Sequence, residues 1–82
     1  MFMKEVFMSI VYEISLWDRI NMPGREIAVV MTETPPAIGQ VLSGIMFPDD
    51  REHTKDVRIL HVWPTGAKIE FHLRYTAIVD KV

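Results

Sequence analysis

Cysteine is absent from this 82-residue chain. That excludes a disulfide scaffold, a thiolate zinc site and a cysteine nucleophile. Long apolar runs are also lacking: none approaches the roughly 18 residues a membrane-crossing helix needs. Lys4 precedes an apolar run from Val6, but Glu5 and Glu13 interrupt it and no small-residue cleavage site follows, so it does not read as a signal peptide. Basic charge is in deficit. Nine Lys and Arg face eleven Asp and Glu, a formal charge of −2. Residues 55–82 hold five basic and three acidic groups, an excess of +2 that is too small for a nucleic-acid footprint. The expectations are a cytoplasmic protein with neither a membrane nor a nucleic acid as partner.

Glycine and proline are few, four and five, but they are placed with purpose. Pro23-Gly24, Pro35-Pro36 with Gly39, Pro48, and Pro64 with Gly66 fall between apolar alternating runs. Proline cannot donate to a strand ladder and glycine supplies positive φ, so these positions mark turns. About five short runs between turns, in a chain long enough for one domain only, predict a single all-β domain over residues 1–82. The fold expected is a small, strongly bent sheet or barrel of mainly antiparallel strands. Hydrophobic residues make up 49% of the chain and six are Met. That is more apolar material than one small core needs, and the surplus points to self-association, a dimer first.

The last third alternates most clearly. Odd positions from Ala67 to Val79 are apolar or aromatic, which predicts a half-buried strand with Ile69, Phe71, Leu73 and Tyr75 inward. Asp56–Trp63 is a second run, with Val57, Ile59, His61 and Trp63 on one face. Pro64-Thr65-Gly66 between them suits a three-residue hairpin turn with Gly66 at positive φ. In that register Ile59 faces Phe71, Arg58 meets His72 and Asp56 meets Arg74. Residues 5–17 read as a strand with Val6, Met8, Ile10, Tyr12, Ile14 and Leu16 inward, although Phe7, Ile10, Val11 and Ile14 also fit a helical stripe. As a strand, this run leaves Phe7, Val11 and Trp17 on a second face, the expected interface. Arg25–Thr34 is expected as a strand with Ile27, Val29 and Met31 inward. Residues 35–43 admit a short helix capped by Thr34, but a strand from Gly39 with Gly44 at a bulge is preferred, since Gly39 costs a helix about 1 kcal/mol. Pro48–Lys55 reads as a mobile charged loop.

Pro36, Gly39, Leu42, Val57, Val62 and the alternating run 67–79 follow the order "Pro-x-x-Gly-x-x-Leu, charged loop, Val-x-x-x-x-Val, turn, long strand". In this the chain resembles small single-domain β-barrel proteins of bacterial and mobile gene-cassette origin, many without assigned function. The resemblance spans roughly residues 25–79. It implies a barrel-like fold and frequent homo-oligomers, and it transfers no site residue.

Candidate chemistry is sparse. Asp49, Asp50, Glu52 and His53 could gather a divalent cation, but their spacing matches no EF-hand or zinc pattern and a solvated loop is the simpler reading. His61 beside Trp63 on the apolar face could line a small-molecule pocket. Arg58, His72 and Arg74 could form an anion site on the outer face. Ser9, Ser15 and Ser43 lack the constrained turn a nucleophile needs. No cofactor motif is present and no metal is expected. Without a convergent acid, base and nucleophile, a non-enzymatic binding or assembly protein is expected, and a small-ligand barrel is the alternative.

Overall fold

The computed structural model describes residues 10–19, 25–69 and 71–82. They form five strands and, among the described residues, no helix: β1 (Val11–Asp18), β2 (Glu26–Thr32), β3 (Val41–Phe47), β4 (Asp50–Ile69) and β5 (His72–Lys81). One sheet holds all five, in the order β2-β1-β5-β4-β3. Neighbours are antiparallel except β1 and β5, which run parallel. The sheet curls into a half-barrel, and its edge strands β2 and β3 approach each other without ladder pairing. The all-β expectation holds.

The core follows from alternation on the concave face. Ile14 and Leu16 of β1, Val57 and Ile59 of β4, and Ala77 and Val79 of β5 are buried, with Ile27, Ile45 and Phe47 closing the ends. Burying each large aliphatic side chain stabilises by about 1.5–3 kcal/mol. β1 is the strand reading of its run, with Tyr12, Ile14 and Leu16 on one side and Val11 and Trp17 half-buried on the other. Phe7 lies outside the described residues.

Bulges decide which side chains face the core. In β2 the register passes from Leu16↔Ala28 to Trp17↔Glu26, which leaves Ile27 as an extra residue. A bulge shifts the inward phase of a strand. Ile27 stays buried and Ala28 and Val30 pack on the core, while Val29 and Met31, expected inward, are 46% and 57% exposed. In β3 the bulge expected at Gly44 is present, with φ +75° between Leu42 and Ile45. No helix forms over 35–43. Ile38 and Gly39 form a turn instead, closed by the Gln40 N–H donating to the Ala37 carbonyl at 3.1 Å with Gly39 at φ +91°, so the strand begins at Val41 and not at Gly39. Gly39 N–H donates to the Ile59 carbonyl and Ile59 N–H to the Gln40 carbonyl, both at 2.8 Å, which ties this turn to β4.

Two connections depart from the sequence reading. Pro48-Asp49 alone joins Phe47 to Asp50, and the charged segment from Asp50 is strand, not loop. The chain also does not reverse at Pro64-Thr65-Gly66. β4 runs on to Ile69, and the reversal lies between Ile69 and His72. Ile59 therefore pairs with Val79 and not with Phe71, and Arg58 pairs with Asp80 and not with His72. Pro64 is tolerated inside a strand because it adjoins a bulge: Pro64↔Tyr75 is followed by Gly66↔Arg74, with Thr65 extra. Gly66 has the positive φ expected of it, +139°, but as a bulge residue within β4.

Candidate functional site

On the convex face, odd residues of β1 stand beside even residues of β5 because the two strands run parallel and in step. Glu13 is opposite Arg74 and Ser15 opposite Thr76. The β2 partners of these β1 positions are Met31 and Val29. This lattice frames a basin of about 460 Å³, whose floor holds Glu13, Ser15 and Arg74 and whose wall holds Trp17, Glu26 and Val29. Thr65, extruded by the β4 bulge, closes one side.

Two hydrogen-bonded groups organise the floor. The Glu13 carboxylate, only 12% exposed, lies 2.8 Å from His72 Nε2 and accepts from Arg74 Nε at 3.3 Å. A nearly buried carboxylate needs such partners, since desolvated charge is costly when unpaired. Trp17 Nε1–H donates to Ser15 Oγ at 2.8 Å, and the Ser15 hydroxyl in turn donates to the Glu26 carboxylate. The indole ring is thereby tethered beside the basin. These contacts fix side chains across β2, β1 and β5. The Ser15 hydroxyl is bonded to a carboxylate and an indole.

The sequence-derived site residues divide into two groups. His72 and Arg74 come together, but around Glu13 and not around Arg58, so the Arg74 guanidinium already has an internal counterion. Arg58, His61 and Trp63 are strung along β4. The register moves from Ile59↔Val79 to His61↔Ile78, leaving Leu60 extra, and this turns His61 and Trp63 outward. His61 is exposed and Trp63 is 43% exposed, so neither faces the interior as the alternation implied. Trp63 pairs with Thr76, which sets it at the margin of the basin. Trp17, expected at an interface, belongs to the basin wall.

Glu13 and Glu26 were not singled out as site residues by the sequence, and Ser15 drew notice only as a serine without the turn a nucleophile needs. The alternation that put Val11 and Trp17 on the second face of β1 carries Glu13 and Ser15 with them, so that signal was present. Glu26 joins them only through the β1–β2 register. At the other end of the sheet, Asp50 accepts from Lys55 Nζ at 2.9 Å and from the Glu52 backbone N–H at 3.2 Å, with His53 Nδ1 also at 3.2 Å. The Lys55 bond foremost, then His53, holds its carboxyl below the ordinary value of 3.8. Among the described residues, no group of three or more His, Asp or Glu is arranged to hold a metal ion. No helix among them is long and apolar enough to cross a membrane. Comparison with known protein families, with curated proteins and with solved structures returns no match for this chain.

Proposed function

We propose that this chain is a non-enzymatic binding or assembly protein that works as a homo-oligomer, a dimer in the first instance. The observation that carries this reading is apolar exposure on the two edge strands: Val29 and Met31 on β2, Val41 and Met46 on β3. Monomers seldom leave large apolar side chains clustered at open sheet edges, where both the side chains and the backbone invite a partner. Sedimentation equilibrium tests it. At about 100 µM a micromolar dimer is nearly fully formed. A single 9.5 kDa species at that concentration refutes the reading.

The basin favours a second reading, a small-ligand site. Its volume falls within the range of about 300–1,000 Å³ typical of small-molecule pockets. The alternative first framed around His61 and Trp63 thus moves to Trp17 and Arg74. Thermal-shift screening of small polar molecules tests it, with Arg74→Met as control. A shift that survives Arg74→Met removes the basin as the binding place.

A further inference from the structure

Ile27–Thr32 reads Ile-Ala-Val-Val-Met-Thr: six residues, no charge, no proline, no glycine, four of them β-branched. It occupies β2, which among the described residues has a ladder neighbour on one side only. Natural sheets blunt such edges with inward lysines, prolines or bulges, because an uncharged open strand of this composition templates further pairing. Here the one bulge sits at Ile27, and Ala28–Thr32 carries no such device. The other edge is different. β3 is broken by Gly44 at φ +75° and by two register shifts, which twist it away from a flat partner. The crevice where β2 and β3 approach involves Ile27, Met46 and Phe47, and no residue of Ala28–Thr32 lines it.

We infer that β2 pairs with β2 of a second copy, antiparallel and about a two-fold axis near Val30. The inference rests on the self-association proposed above and names its surface. Three observations select this occupant. The outward side chains are self-complementary: in that register Val29 faces the partner subunit's Met31, and Met31 faces the partner subunit's Val29, so four exposed apolar groups cover one another. The flanking charges select direction. Arg25 and Glu33 bracket the strand, both exposed. An antiparallel arrangement brings each Arg25 diagonally beside the partner subunit's Glu33, within reach of long side chains, whereas a parallel one stacks like charges. Finally, a two-fold pairing consumes the β2 edge of both copies, so assembly through this edge stops at two.

The test uses the full chain in sedimentation, with circular dichroism and melting as checks on the fold. Val29→Lys/Met31→Lys changes only exposed side chains and sets lysines opposite lysines, so the dimer should weaken by about 100-fold or more. Arg25→Glu should weaken it several-fold, and adding Glu33→Arg should restore it, because the two charges meet across the axis. A wild-type monomer defeats self-association itself. A wild-type dimer that Val29→Lys/Met31→Lys leaves intact defeats the β2 edge while self-association stands. If the double-lysine variant loses its fold, the charge pair decides: rescue of Arg25→Glu by Glu33→Arg supports the interface, and additive or absent effects overturn it.

Discussion

Gly66→Ala isolates the cost of one bulge. At φ +139° the backbone of Gly66 lies where an L-residue is strained. A Cβ built there meets nothing within 4 Å, so no steric clash contributes and the loss is purely conformational. Forcing an L-residue into such a region costs about 1–3 kcal/mol. Alanine also reduces the freedom of the unfolded chain, which offsets about 0.4–1 kcal/mol. The net expectation is a loss of about 1–2 kcal/mol, and Gly66→Val should lose at least as much. Against a total stability of about 4–12 kcal/mol for a chain of this length, that is a large fraction. Urea denaturation followed by tryptophan fluorescence, at fixed protein concentration, measures it. With a slope near 1 kcal/mol per molar, the midpoint should fall by about 1–2 M and the slope should not change. D-Alanine at position 66, introduced by chemical synthesis, accepts positive φ and should recover most of the loss. An unchanged midpoint for the L-alanine variant, or a D-alanine variant no better than it, refutes the reasoning.

Two further outcomes concern the paired charges. Glu13→Gln should cost about 1 kcal/mol, because the His72 and Arg74 donors lose a nearly buried acceptor; Arg74 is half exposed, so the Glu13–Arg74 coupling in a double-mutant cycle should be only about 0.5 kcal/mol. A Glu13→Gln variant as stable as wild type would show that these contacts contribute nothing. Asp50 has its pKa lowered in the fold, so its contribution is present above the ordinary value of 3.8 and is lost as pH falls through the folded-state value. Asp50→Asn should therefore melt slightly lower than wild type at about pH 7 and at the same temperature at about pH 2, and a gap that persists or widens in acid contradicts the sign.

Legibility differed between kinds of information. Alternation of apolar residues identified every strand and most of the core, since Ile14, Leu16, Val57 and Ile59 fall on the expected phase. It could not locate the β4–β5 reversal. Pro64-Thr65-Gly66 satisfies a hairpin turn and a strand bulge equally, and the positive φ of Gly66 serves both. Ile59 pairs with Val79, eight residues beyond the expected Phe71, and an even slip leaves the faces of Val57 and Ile59 unchanged, so the internal consistency of the hairpin register there carried no information about where the chain turns. The bulges at Ile27 and Leu60 were invisible for a related reason. Each shifts phase by one residue without a proline or glycine to mark it, and that shift is what turned Val29, Met31, His61 and Trp63 outward. The basin was half legible: Trp17 and Arg74 drew notice for other reasons, but joining them to Glu13 required the parallel β1–β5 pairing, which no local pattern announces.

That pairing has a consequence for how the chain acquires its fold. β5 is the last of the five strands along the chain and the middle one in the sheet. Glu13 and Arg74 sit side by side, yet 61 residues separate them. During synthesis β1–β2 and β3–β4 can each close as a local hairpin while their apolar faces wait, uncovered, for a strand the ribosome has yet to release. Topology of this kind places folding on the millisecond-to-second side of small domains. It also makes β5 the element whose truncation does most harm: removing an edge strand leaves a smaller sheet, whereas removing β5 leaves two ribbons with no seam between them.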